Sequence, residues 1–239
     1  MTWRGGWALM GILALLGACT AALAPNEPRE GMPAMLSSAE GDRSSVPSQP
    51  RASLGAPQRR VGTMAAHASG HCRQQECALG SLVADAAVWH YAGQGAVAAI
   101  LPSNAIRGFL REGEVSSGDV EAALASARVG VREMRGAEIR VRLEEALRAA
   151  GNDGAFFPQV SGLRYVWSPS HPPGRRLMSV EIADASGRLA PLSSGRLYRV
   201  ALRTTDGAGT DVDLARAFAL YLEQRSPLAL PAPGRIVER

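Results

Sequence analysis

The sequence contains no lysine, and all 26 of its basic residues are arginine. That absence excludes Schiff-base and lysine-nucleophile chemistry, and with them any phosphate-binding loop that needs its Lys. It also points to coding bias, so a net charge of +4 is weak support for nucleic-acid binding. Aromatic residues make up only 5% of the chain, which leaves little for the stacking surfaces that hold single strands. We read no nucleic-acid partner. Three Cys and four His (67, 71, 90 and 171) offer little material for a metal centre. His67 and His71 could share a helical face, but no third ligand accompanies them, so neither a metal nor a cofactor is expected.

What is present is ordinary globular composition: 46% apolar residues, 20% charged residues and a mean hydropathy of -0.04. The ends of the chain differ from its body. One positive charge, Arg4, precedes an apolar run from Trp7 to Ala18 that is short for a bilayer span. The run closes in Leu16-Gly17-Ala18-Cys19, which resembles the bacterial lipobox. That resemblance implies a signal peptide over 1–19, acylation of Cys19 and a lipid-anchored protein of the bacterial cell envelope, facing the periplasm in a Gram-negative cell. Two rivals stand beside it. One is cleavage after Ala24, which Pro25 disfavours; the other is a true membrane anchor. Residues 20–59 are rich in Pro, Ser, Ala, Gly and Glu without apolar periodicity, the composition of a disordered tether. The folded unit is expected over 60–239.

Within it, Cys72 and Cys77 bracket four residues. In an exported chain whose Cys19 carries lipid they are the remaining thiols, and a disulfide is the natural reading against a reduced pair or half a metal site. A helix follows from Cys77 to about Ala92, with Leu79, Leu82, Val83, Ala86 and Trp89 on one stripe. Residues 96–101 read as a buried strand, and the turn Pro102–Arg107 places Arg107 just past its end. Residues 113–127 read as strand, turn and helix, with Ser117 or Asp119 as N-cap. Residues 128–134 read as a strand. The next segment, 137–150, is an amphipathic helix with Glu144 and Arg148 paired on its outer face. Strands are predicted over 159–167, 177–183 and 197–205, with a turn at 184–187 after the second. A Gly-rich loop, 206–211, precedes a last helix over 212–224. The arginine pairs 59–60 and 175–176 read as solvated. The element pattern lacks regular βαβ alternation and predicts an α+β fold, a mixed sheet packed with helices.

The run CRQQECALGSLVADAAVW resembles the C-terminal domain of the 5′-nucleotidase family, which includes periplasmic UDP-sugar hydrolases and cell-surface nucleotidases. The likeness continues through REGEVSSGDV, the strand before Arg135-Gly136-Ala137, FPQVSGLRY, LYRVAL and the closing GRI. It implies a domain that binds nucleotide, while a separate metallophosphatase domain supplies two metal ions and the catalytic residues. The motifs of that second domain (Asp-x-His, Gly-Asp, Asn-His-Glu, His-x-His) have no counterpart here, so no catalytic residue is assigned. The Cys72–Cys77 spacing also resembles a family disulfide.

By the same resemblance Arg73 and Arg107 contact phosphate, a task suited to a guanidinium fork, and Asp211 holds the ribose hydroxyls. The plainer readings are an ion pair with Glu76 for Arg73, a carbonyl at its own turn for Arg107 and N-capping of the last helix for Asp211. The sequence departs from the family at the turn, where the family Asn is Pro102 and its two Gly are Asn104 and Ala105. It departs more sharply at the base clamp. The two family aromatics fall on Ala125 and Thr205, and a base-contacting Asn falls on Ala127. Loss of two stacking contacts costs about 2–6 kcal/mol. Phe109, Phe156, Phe157 and Trp89 are the aromatics available as replacements. Three functions follow: a lipid-anchored, non-hydrolytic binding module for a nucleotide or other phosphorylated small molecule; a substrate-binding subunit acting in trans with a separate metallophosphatase; or a structural envelope lipoprotein.

Overall fold

The computed structural model describes residues 58–148, 150, 154–205 and 209–239. The signal peptide, Cys19 and nearly all of the tether lie outside the described residues, as do 206–208 of the Gly-rich loop. In chain order the elements are β1 (Arg60–Met64), α1 (Ala78–His90), β2 (Ala98–Pro102), β3 (Gly113–Ser116), α2 (Ser117–Ala123), β4 (Arg128–Arg135) and α3 (Gly136–Arg148). Then follow β5 (Pro158–Ser161), β6 (Leu163–Trp167), β7 (Leu177–Ala183), β8 (Leu189–Pro191), β9 (Leu197–Thr204), β10 (Val212–Asp213), α4 (Leu214–Arg225) and β11 (Ile236–Glu238). No helix of the described residues is long and apolar enough to cross a membrane.

A mixed five-stranded sheet, β10-β4-β9-β2-β5, divides the apolar residues by strand alternation. Ala99, Leu101 and Ala201 face one core with residues of α1, α2 and α4, including Leu82, Val83, Val120 and Phe218. Ala98, Ile100, Val200 and Leu202 face a second core, shared with Ile139, Leu143 and Leu147 of α3 and with the second sheet. That second sheet is four-stranded, in the order β11-β6-β7-β8. Strand β2 runs parallel to β9 and antiparallel to β5, so β2 and β9 end on the same side. The α+β fold with mixed sheets and helices is the one expected.

Several local expectations are corrected. The strand predicted over 159–167 is two strands in different sheets, broken at Gly162. This residue adopts φ +60°, and a Cβ there would lie 2.0 Å from the Val97 carbonyl oxygen. Helix α2 is capped by Ser116, neither by Ser117 nor by Asp119. The Ser116 hydroxyl accepts from the Asp119 N–H, and Asp119 returns a carboxylate to the Ser116 N–H. The α4 cap is Asp213, which accepts from the Arg216 N–H at 3.1 Å, so capping does not explain Asp211. Glu144 does not serve as an outer-face partner for Arg148, because its two oxygens accept the N–H groups of Arg176 and Leu177 at 2.6 and 2.8 Å. The arginine pairs are not merely solvated. Arg59 and Arg60 form ion pairs with Glu223 and Glu114. The Arg176 guanidinium donates to the carbonyls of Leu147, Arg148 and Ala150, closing the C-terminus of α3 where cations are favoured.

Candidate functional site

Two hollows lie beyond the shared ends of β2 and β9. The first is built from the loop before α1 and the turn after β2. Cys72 and Cys77 are disulfide-bonded, and the Cys77 sulfur accepts from the Gly80 N–H as the cap of α1. The loop they close is held by the side chain of Gln159 on β5, which is fully buried. Its carbonyl oxygen accepts from the Cys77 N–H at 3.1 Å, and its amide donates to the carbonyls of Cys72 and Gln75 at 3.1 and 2.8 Å. Both sides of one amide are thereby satisfied, which makes the contact stabilising despite its burial. On the outer side Glu76 accepts the N–H groups of Gly234, Arg235 and Ile236. Its carboxylate is thus committed to the closing segment, and Arg235 completes the tie with a two-pronged pair to Asp85 at 2.7 and 2.9 Å.

Arg73 stands on this loop. Arg107 stands after a single 3-10 turn, Ser103–Ala105, its backbone fixed by an N–H bond to the Ala123 carbonyl. Together they line one hollow of about 670 Å³ with Gly70, His71, Gln74, Gln75, Asn104 and Ile106. No carboxylate is among these lining residues. Both arginines are exposed, so the two side chains expected to act together line one open surface. His67 and His71 do not share a helical face, since no helix runs through them. His71 meets the Ser69 hydroxyl at 3.0 Å and His67 lies against Phe109. Among the described residues no group of three or more His, Cys, Asp or Glu side chains is placed to hold a metal ion.

The second hollow, about 440 Å³, is mainly apolar. Ile100, Leu101, Pro102, Ala146, Phe156 and Pro158 wall it, and Arg142, Glu145, Arg203 and Thr205 are its polar members. Thr205 is therefore placed here, whereas Ala125 and Ala127 are buried and line neither hollow. Arg203 donates to the Asn104 side-chain oxygen at 3.0 Å, and this bond joins the two hollows.

Asp211 is not brought to either one. Its side chain is 0% exposed and lies over Gly130, where a Cβ would come within 1.9 Å of its Oδ1. It pairs with Arg132 at 3.4 Å, while Oδ2 has no hydrogen-bond partner. Nearby Tyr91 donates to the carbonyls of Val129 and Thr210, and burial raises its hydroxyl above the usual tyrosine pKa.

The family described as 5′-nucleotidase, C-terminal domain, matches residues 60–215. The chain belongs to that family. As a 5′-nucleotidase C-terminal domain it is 31% identical over 143 residues to the trifunctional nucleotide phosphoesterase protein YfkN of Bacillus subtilis, covering 59% of this chain and 10% of that one. It is likewise 31% identical over 146 residues to an apyrase of Aedes albopictus, with 59% and 26% covered. Among solved structures it resembles a 5′-nucleotidase precursor from Thermus thermophilus, at 27% identity and a TM-score of 0.68. That match covers 76% of this chain and 39% of the other. The chain thus spans well under half the length of these relatives.

Sequence reasoning did not reach Gln159 or Arg203, and it read Glu76 only as a partner for Arg73, not as the acceptor for residues 234–236. The one available signal was a glutamine inside an otherwise apolar strand, where a buried amide must find partners.

Proposed function

We propose that this domain is a lipid-anchored module that binds a phosphorylated small molecule, a nucleotide among the candidates, and does not hydrolyse it alone. The observation that carries the reading is the convergence of Arg73 and Arg107 on one hollow. Two guanidinium forks suit a phosphate dianion, and the loop bearing Arg73 is fixed in advance by Gln159 and Glu76. Two-metal hydrolysis needs a set of His and carboxylate ligands, of which this hollow offers one histidine, His71. The N-terminal lipobox-like segment ending in Cys19 supports the anchor.

Calorimetric titration with inorganic phosphate and AMP tests the binding. Arg107→Ala should weaken both roughly ten- to hundredfold, since one charged hydrogen-bonding group is lost. Unchanged affinity in both Arg73→Ala and Arg107→Ala overturns the reading. Pure protein with Mn²⁺, Zn²⁺ or Co²⁺ should release no phosphate from AMP. A second reading rests on the exposure of both arginines, which leaves a bound phosphate open to solvent. It makes this chain the substrate-binding half of a pair with a separate metallophosphatase, and hydrolysis that appears only when that protein is added favours it.

A further inference from the structure

Besides the two arginines, the wall of their hollow carries one histidine, His71. We propose that His71 is a third anion-binding group there, and that protonation of its ring makes the hollow hold a doubly charged oxyanion more tightly in mildly acidic than in neutral surroundings. This role rests on the phosphate reading of the hollow and adds a proton to it.

The backbone brings His71 to Arg107. Ala68 and Leu110 form an antiparallel bridge, each N–H donating to the other's carbonyl, at 2.8 and 3.0 Å, and both side chains are buried. The two segments press closer still at Gly70, where a Cβ would lie 1.6 Å from the Gly108 carbonyl oxygen. Only glycine fits there. One residue further along the pair, His71 follows Gly70 and Arg107 precedes Gly108. The chain then turns, with the Cys72 N–H donating to the Gly70 carbonyl at 2.9 Å and the Gln75 amide to the His71 carbonyl at 3.4 Å. The histidine side chain is left exposed on the same open surface as both arginines.

Ser69 orients the ring. Its hydroxyl lies 3.0 Å from Nδ1 and accepts the His71 backbone N–H at 3.3 Å. That arrangement serves both protonation states. In the neutral ring the hydroxyl donates to Nδ1, which leaves the ring N–H on Nε2. In the imidazolium Nδ1–H donates to the same oxygen. Nε2 therefore keeps a donor throughout, and only the charge changes. Histidine is the side chain whose charge ordinarily changes between about pH 5 and pH 8.

The charged groups that line the hollow with it are Arg73 on its own loop and Arg107 on the facing segment. Glu76, on the same loop, gives its carboxylate to the N–H groups of residues 234–236. Farther back along the paired segments stand His67 and Arg111, both against the Phe109 ring. A bound dianion favours the charged His71 ring, and the charged ring favours the dianion by the same factor. Anion capture is thus coupled to uptake of a proton.

The test uses the whole chain and inorganic sulfate, which stays doubly charged across the histidine range, so that any pH dependence belongs to the protein. Calorimetry at fixed ionic strength should show sulfate bound roughly five- to thirtyfold more tightly at about pH 5.5 than at about pH 8, the worth of one added charge beside a dianion. Heats in two buffers of different ionisation enthalpy should show net proton uptake between those limits. His71→Gln keeps a donor and should abolish both the pH dependence and the proton uptake. His71→Arg should hold the acid-side affinity at both pH values, and His67→Gln should behave as the unaltered chain. Sulfate binding that depends on Arg73 and Arg107 but is flat with pH, or keeps its pH dependence in His71→Gln, overturns the role of His71 and leaves the phosphate reading standing. Loss of the pH dependence in His67→Gln overturns it equally. Sulfate binding that neither Arg73→Ala nor Arg107→Ala weakens, or no binding at all, overturns both.

Discussion

Gln159 and Asp211 are both buried polar side chains, each near one edge of the central sheet, and their surroundings differ sharply. Gln159 makes three hydrogen bonds to the backbone of the Arg73 loop. Asp211 has one ion pair, at 3.4 Å to Arg132, and an oxygen with no partner. The comparison separates a buried polar group that positions a functional loop from one that the fold merely accommodates. Burial alone does not distinguish them; completeness of pairing does. Arg73, proposed to meet phosphate, stands on the well-paired side, whereas the carboxylate expected to meet ribose is buried on the other.

The largest effect belongs to Gln159. Replacement by Leu leaves the Cys77 N–H and two carbonyls unpaired under cover, and should cost about 2–4 kcal/mol of stability by urea denaturation. It should also weaken phosphate binding, although Gln159 does not itself line the hollow. Retained affinity at normal stability would break the comparison. On the other side, Arg132→Ala should cost about 1–2 kcal/mol, because the buried Asp211 carboxylate loses its ion pair. Phosphate affinity should not change, and adding Asp211→Asn should recover part of the loss. If Arg132→Ala weakens phosphate binding, Asp211 belongs to the site after all.

The smallest effects come from two tyrosines. Burial raises the pKa of Tyr165 well above the usual value near 10, with Glu76 adding to it, and burial also raises that of Tyr91. In both cases the folded state keeps its proton longer. The stability they contribute is complete below pH 10 and falls as pH rises beyond it. Tyr165→Phe should remove more of that alkaline fall than Tyr91→Phe, each costing about 1 kcal/mol at neutral pH through lost hydrogen bonds to Pro158 or to Val129 and Thr210. Equal alkaline curves for the two variants would show that the two sides are equally sealed.

The sequence made the frame legible because its signals are local. The stripe on α1, the apolar run of β2 and the strand-like run of β7 each lie within a dozen residues, and the family resemblance ordered them. Arg73 and Arg107 stand out in the sequence for the same reason, since each lies in a motif of adjacent residues. The rest depends on partners far along the chain. Gln159 meets carbonyls more than 80 residues away, and Asp211 is buried because Gly130 leaves room for it on a neighbouring strand. Arg176 reads as a surface charge until α3 ends beside it. Phe156 and Phe157 are indistinguishable as letters, yet the first is exposed and the second is in the core, in a backbone tied to the turn at 103–105.

The bond network at Glu76 has a practical outcome. Residues 234–236 grip the outside of the disulfide loop, so the closing segment works as a buckle on the loop that carries Arg73. A protease that nicks the chain ahead of Gly234, or a trimmed expression clone ending there, would open that buckle and should loosen anion binding without touching either arginine.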